Sequence, residues 1–188
     1  MSSELLWYLS RATGVVSIVL LTVVVVIGMV TAGRRRPHAD RATIAAGIHR
    51  WLSLGMTVFI ATHIITAVAE GYVDISWLSV VVPFTSGYET VWIGFGAIAI
   101  DLLVTIIVTS LLRHRISERY WRGIHWASYG LWLFAIIHGF ALGTADQPIL
   151  QGITLACGVV GGLAASWRVA VSHADTDRRQ EIKSQEWV

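Results

Sequence analysis

Apolar residues dominate five stretches of the chain, at residues 5–31, 43–69, 90–112, 121–142 and 149–171. Each stretch exceeds 20 residues, which is long enough for an α-helix to cross the hydrocarbon core of a bilayer. Backbone polar groups find no water in that core, so helices are the favoured spanning structures. The pattern therefore predicts an all-α fold, a polytopic membrane bundle of five transmembrane helices.

The segments outside these stretches are polar or too short to cross a membrane. Residues 77–84 are apolar but short and contain Pro83, so we expect them to lie on the membrane surface. No signal-peptide pattern precedes the first stretch, which we interpret as a retained span. Residues 172–188 are polar and are predicted to form a soluble or frayed tail.

Composition agrees with a bilayer environment. Of 188 residues, 55% are hydrophobic and 14% are charged, and the mean hydropathy is +0.64, which is more apolar surface than a soluble core of this size could bury. The single cysteine, Cys157, excludes an internal disulfide and a CxxCH haem attachment site. No nucleotide-binding GxGxxG motif is present, and we expect no nucleic-acid partner.

Charge alternates between the predicted loops. The second and fourth loops contain no Lys or Arg and carry Glu70, Asp74, Glu89 and Asp146. Basic residues instead lie in or flank the first and third loops and the tail: Arg34, Arg35, Arg36, Arg41, Arg50, Arg113, Arg115, Arg119, Arg122, Arg168, Arg178, Arg179 and Lys183. By the positive-inside rule, the N-terminus lies outside and the C-terminus, with residues 172–188, is cytoplasmic.

Four histidines lie within the predicted second and fourth spans. Thirteen residues intervene between His49 and His63, and 12 between His125 and His138, so the members of each pair lie about 20 Å apart along the helix axis. An ionisable residue at membrane depth indicates function by default. Because the two spans run parallel, depth pairs His49 with His125 near the inside and His63 with His138 near the outside. Four histidines so placed can supply two axial ligands to each of two haems, held without covalent attachment.

Helix rotation supports one pair better than the other. Fourteen steps bring His63 to within about 40° of His49, whereas thirteen steps leave His138 about 140° from His125 on an ideal helix. Gly123, Gly130 or a local distortion could absorb the second mismatch. Two alternatives stay open: the histidines are hydrogen-bonded packing residues, or they form a zinc site or proton path. Metal sites, however, usually gather their ligands closely.

Other polar residues could assist a cofactor. Arg50 and Arg122 lie beside the inner histidines and could bind inner-haem propionates, although both also fit the positive-inside pattern. Arg11, in the first span, could bind outer-haem propionates or extend to lipid headgroups. Asp101, midway along the third span, could bond a ligand imidazole, transfer protons or only contact a neighbouring helix. Three further histidines adjoin charged loops and are expected to face solvent: His38, His114 and His173.

The paired histidines, together with the opening LWYLSRATG, resemble the ferric reductase-like transmembrane domain superfamily. That superfamily includes NADPH oxidases, yeast-type ferric reductases and the haem-binding membrane subunit of bacterial methionine sulfoxide reductase systems. The resemblance covers roughly residues 5–171 and implies a haem-binding bundle over residues 1–171, with two b haems stacked across a bacterial-type cytoplasmic membrane. The flavin and NADPH region of the oxidases is missing here.

These observations favour the electron-transfer subunit of a transmembrane oxidoreductase. The expected donor is a separate cytoplasmic flavin reductase, which would carry the flavin, or quinol. The expected acceptor is an extracytoplasmic redox protein or a small molecule, and fold-level analogy does not select one. Two alternatives remain. One is a quinone-reducing cytochrome b subunit of a hydrogenase or formate dehydrogenase-type complex, and the other is a non-redox metal or proton transporter.

Overall fold

The computed structural model describes residues 3–31, 39–71, 73–143 and 147–185, without the side chains of residues 3, 39–42 and 172–185. Within those ranges the regular structure is helical, as the apolar pattern predicts. The elements are α1 (Ser3–Thr31), α2 (Ala39–Ala69), α3 (Trp77–Val81), α4 (Thr90–Leu111), a 3-10 turn (Arg113–Arg115), α5 (Glu118–His125), α6 (Ala127–Ala141) and α7 (Pro148–Gln185).

Four of the described helices, α1, α2, α4 and α7, are long and apolar enough to cross a membrane, so the chain is a multi-pass membrane protein. The predicted fourth span, residues 121–142, is instead divided between α5 and α6, each shorter than a crossing. The division is a tightened turn at Trp126, where the Tyr129 N–H bonds to the Trp126 carbonyl at 3.1 Å, three residues back. Five uninterrupted spans are therefore not confirmed.

Helix α1 lies at the centre of the packing. It contacts α2, α6 and α7, while α4 packs on α6. The core they share consists of Leu21, Val25, Met29, Met56, Ala99, Leu103, Ile106, Leu131 and Trp132. A buried hydrogen bond of 3.1 Å from Trp132 Nε1 to Thr22 Oγ1 ties α6 to α1. Among the described helices, α2 packs closely with α1 alone. The α2 and α6 backbones are farther apart, and side chains such as His63 and His138 face each other between them.

The connection between α2 and α4 contains the short helix α3. Ser76 Oγ accepts a hydrogen bond from the Ser79 N–H at 3.3 Å and caps the helix. Ser79 is buried, whereas Trp77, Leu78 and Val81 are exposed. The prediction that residues 77–84 do not cross is confirmed by the five-residue length of α3. Their location on the membrane surface stays a prediction.

Helix α7 continues beyond the apolar stretch to Gln185, so the backbone of residues 172–185 is helical, and the soluble, cytoplasmic location of this tail stays a prediction. A helix that already exists propagates at little cost, and this segment is rich in Arg, Gln, Glu and Lys, which are good helix formers. The side chains of several charged residues and histidines used in the sequence argument lie outside the described part: Arg34, Arg35, Arg36, His38, Arg41, Asp146, His173, Arg178, Arg179 and Lys183.

Candidate cofactor site

The outer histidines face each other between α2 and α6. The ring centroids of His63 and His138 are 6.4 Å apart and their planes meet at 82°. His63 Nδ1 lies 2.8 Å from the Ser10 carbonyl oxygen on α1, and His138 Nδ1 lies 2.8 Å from the Trp92 carbonyl oxygen on α4. A carbonyl oxygen only accepts, so each Nδ1 carries the donated proton. The lone pair is then on Nε2, the nitrogen left for a ligand.

Two glycines make room for these rings. A Cβ at Gly96 of α4 would lie 2.6 Å from both Nδ1 and Cε1 of His138. A Cβ at Gly14 of α1 would lie 3.0 Å from His63 Nδ1. Both distances are shorter than ordinary van der Waals contact, so a side chain at either position would displace the imidazole. The glycines thus let two backbones approach the histidines closely enough to bond them.

A cavity of about 460 Å³ adjoins the outer pair, a volume within the usual range for small-molecule and cofactor sites. Its wall includes Arg11, whose guanidinium lies 4.1 Å from the centroid of the Trp7 ring. Glu70, just after α2, lines the same cavity, and burial raises the pKa of its carboxyl while the Arg11 charge opposes that rise. The predicted residue Arg11 therefore lies in the wall that contains His63 and His138.

The inner histidines also face each other, with centroids 6.3 Å apart and planes at 55°. Unlike the outer pair, His49 and His125 have buried Nδ1 atoms without a hydrogen-bond partner in the described structure. The Val24 backbone lies near the His49 ring, but no hydrogen bond reaches its Nδ1. The pairing by depth expected from the sequence is the pairing of rings in the structure.

Sequence reasoning missed an aromatic and cationic stack on the inner pair. The Trp121 ring stacks on His125 with centroids 4.9 Å apart and planes at 25°. The Arg113 guanidinium lies 4.3 Å from the Trp121 centroid, and its charge acts on His125. Trp121 Nε1 is buried and unpartnered among the described residues. In the sequence, Arg113 is evident only as a basic residue of a predicted cytoplasmic loop. It lies eight positions before Trp121, and that spacing alone does not predict a contact between the two side chains.

The other candidate residues lie apart from the rings. Arg50 is exposed. Arg122 forms an ion pair with Glu118 on the same exposed helix face. Asp101 is exposed midway along α4, and its carboxylate contacts no histidine in the described structure. His114 is exposed on the turn after α4, as expected.

The donor sets fit haem b. Haem iron takes histidine imidazoles as ligands, and each pair, with ring centroids 6.3 or 6.4 Å apart, would offer two imidazoles to one haem. The described residues contain no group of three or more His, Cys, Asp or Glu side chains that could hold a metal ion, whereas structural zinc takes four ligands. The chemistry of the two imidazole pairs is therefore compatible with haem.

The fold and the site define a multi-pass helical membrane protein with two facing histidine pairs. A family model described as ferric reductase like transmembrane component matches residues 13–137, about two thirds of the chain. The protein belongs to this family, and membership indicates a transmembrane redox role. The match includes His49, His63 and His125 and ends one residue before His138. Neither a curated protein nor a solved structure matches the chain.

Proposed function

We propose that the protein is a bis-haem b membrane cytochrome that carries electrons across the bilayer. His49 and His125 would ligate the inner haem iron, and His63 and His138 the outer one. The observation that carries this proposal is the repetition of one geometry, two imidazoles with centroids 6.3 or 6.4 Å apart, at two depths about 20 Å apart along α2. A packing histidine has no reason to repeat that arrangement.

The outer site is the better prepared of the two. Carbonyl oxygens of Ser10 and Trp92 hold the Nδ1 protons of His63 and His138, which fixes both ring orientations and leaves Nε2 free. Ligating histidines usually donate their other N–H in this way. Arg11, in the wall of the adjoining cavity, would bind propionates of the outer haem.

Five spans remain our proposal for the topology, with α5 and α6 crossing as one distorted helix. Trp126, between them, keeps right-handed helical dihedrals of −63° and −23°. Together α5, Trp126 and α6 cover residues 118–141, which is long enough for a crossing. The N-terminus would then lie outside and the C-terminus in the cytoplasm. Exposed Arg113, Arg115 and Arg119 near the inner histidines support that orientation.

Bound haem would supply reversible one-electron iron chemistry, and two imidazoles would leave no open iron position for oxygen. The donor in this proposal is a cytoplasmic flavoprotein or quinol. An extracytoplasmic redox protein or small acceptor would receive the electrons.

Haem content of single-histidine variants tests this proposal. The detergent-purified protein should contain two low-spin b haems per chain by pyridine haemochrome assay. His49→Ala or His125→Ala should each leave the outer haem alone, and His63→Ala or His138→Ala the inner haem alone, because each variant removes one of two axial ligands. His114→Ala, at an exposed histidine, is the matched control and should keep both. Colourless protein after haem-replete expression would refute the proposal.

A further inference from the structure

The two histidine pairs differ in what their Nδ1 atoms bond. Both outer rings donate to backbone carbonyl oxygens at 2.8 Å, and Ser10 Oγ lies 3.3 Å from His63 Nδ1 as well. Both inner rings, on His49 and His125, have buried Nδ1 atoms without a partner in the described structure. The pairs are alike in ring separation but unlike in hydrogen bonding.

Hydrogen bonding at Nδ1 changes the ligand strength of Nε2. A donated N–H gives the ring partial imidazolate character and raises its basicity. A more basic ligand stabilises ferric iron relative to ferrous iron, so the reduction potential falls. His63 and His138 have this hydrogen bond at Nδ1. The Nδ1 atoms of His49 and His125 have none in the described structure, and the one backbone group that acts on the His49 ring is that of Val24. The hydrogen bonds alone therefore favour reduction at the inner site.

Nearby charge acts in the same direction. The Arg113 guanidinium lies over Trp121, which stacks on His125, and the described residues form no salt bridge to Arg113. A positive charge stabilises the reduced site, which holds one more electron. The outer cavity also has a cation, Arg11, but Glu70 lines the same cavity and offsets its field. The charge of Arg113, although its side chain is exposed, therefore adds to the effect of the hydrogen bonds at the inner pair.

We infer, on the basis of the proposed bis-haem function, that the inner site has the higher reduction potential. The carbonyl bonds of His63 and His138, and the stack of Arg113 and Trp121 on His125, set this order. In the half-reduced protein the single electron resides at the inner site, and the outer site is reduced when a second electron enters. An outer acceptor would then meet a protein that holds two electrons. Arg113 and Trp121 act as positioning residues in this scheme, since they work through His125.

Equilibrium redox titration of the haem-loaded protein, followed by visible and EPR spectra, tests the order. The titration should show two one-electron steps whose reduction equilibrium constants differ at least tenfold, which corresponds to a difference in reduction potential of about 59 mV. The inner-only His63→Ala protein should titrate near the higher step and the outer-only His49→Ala protein near the lower. An outer-only potential equal to or above the inner-only one would overturn the inference.

A second series works in the two-haem protein, in case the single-haem variants do not fold. Arg113→Gln should lower the reduction equilibrium constant of the higher-potential step several-fold and leave that of the lower-potential step unchanged. Arg113→Lys should restore the higher-potential step. Arg119→Gln, at an exposed arginine of the same basic surface, should move neither step. A shift of the lower step in Arg113→Gln, or of neither step, would contradict the order proposed here. Absence of haem would instead refute the proposed function, so the two failures are distinguishable.

Discussion

At Gly96 the α4 backbone approaches the His138 ring so closely that a Cβ would lie 2.6 Å from its Nδ1 and Cε1. We expect Gly96→Ala to displace the ring, weaken its bond to the Trp92 carbonyl and lower the haem content from two toward one per chain. Overpacking of this kind typically costs about 1–3 kcal/mol of stability. Haemochrome assay and thermal unfolding in detergent measure both effects.

The matched control is Gly152→Ala, because a Cβ at Gly152 of α7 would meet nothing within 4 Å. It should keep both haems and unfold at the temperature of the unmodified protein. Full haem content in Gly96→Ala, with an unchanged outer-haem spectrum, would contradict the close approach of α4 to His138.

Side-chain chemistry explains which site residues the sequence could predict. His49, His63, His125 and His138 were found because ionisable residues are conspicuous in apolar runs. The acceptors of the outer rings were not found, since they are the carbonyl groups of Ser10 and Trp92, and every residue has a carbonyl. Gly14 and Gly96 were missed because glycine is common in membrane helices and its role appears only when a neighbouring ring is located.

Among the elements, the interruption between α5 and α6 matters most for ring placement. An ideal helix would leave His125 and His138 about 140° apart, yet both face α2 in the structure. The tightened turn at Trp126 lies between them. The sequence indicated that a distortion was needed and offered Gly123 and Gly130 as positions for it, whereas the structure has it at Trp126, which no proline or glycine adjoins.

The position of His138 along α6 should therefore determine whether the outer haem binds. Insertion of one alanine between Leu133 and Phe134 would rotate His138 by about 100° and shift it by about 1.5 Å. We expect the outer haem to be lost and the inner haem to remain, because His125 precedes the insertion. Optical spectra and haem stoichiometry of the purified protein report this change.

An alanine inserted between residues 144 and 145, in the connection from α6 to α7, is the control, since it leaves both histidine registers intact. That variant should contain two haems. If the insertion in α6 also left both haems, then α6 would not set the position of His138, and its assignment as a ligand would fail.

For the molecule as a whole, the length of the apolar stretches predicted the all-helical fold. It did not predict the interruption between α5 and α6 or the helical conformation of residues 172–185. Apolar stretches of more than 20 residues located α1, α2, α4 and α7. Residues 172–185 were missed as a helix, because polar composition describes solubility rather than backbone conformation. The stack of Arg113 and Trp121 joins two sides of a loop, a tertiary relation that residue spacing alone does not encode.

Sidedness of the whole chain can be tested by cysteine labelling. Thr85→Cys, Arg115→Cys and Gln147→Cys would each be made in a Cys157→Ser background and treated with a membrane-impermeant maleimide. In the proposed topology, positions 85 and 147 label in intact cells, whereas position 115 labels only after permeabilisation, because basic loops stay in the cytoplasm. The Cys157→Ser protein alone provides the background. The reverse pattern would invert the orientation, and labelling of position 147 together with position 115 would mean that α5 and α6 do not cross the bilayer.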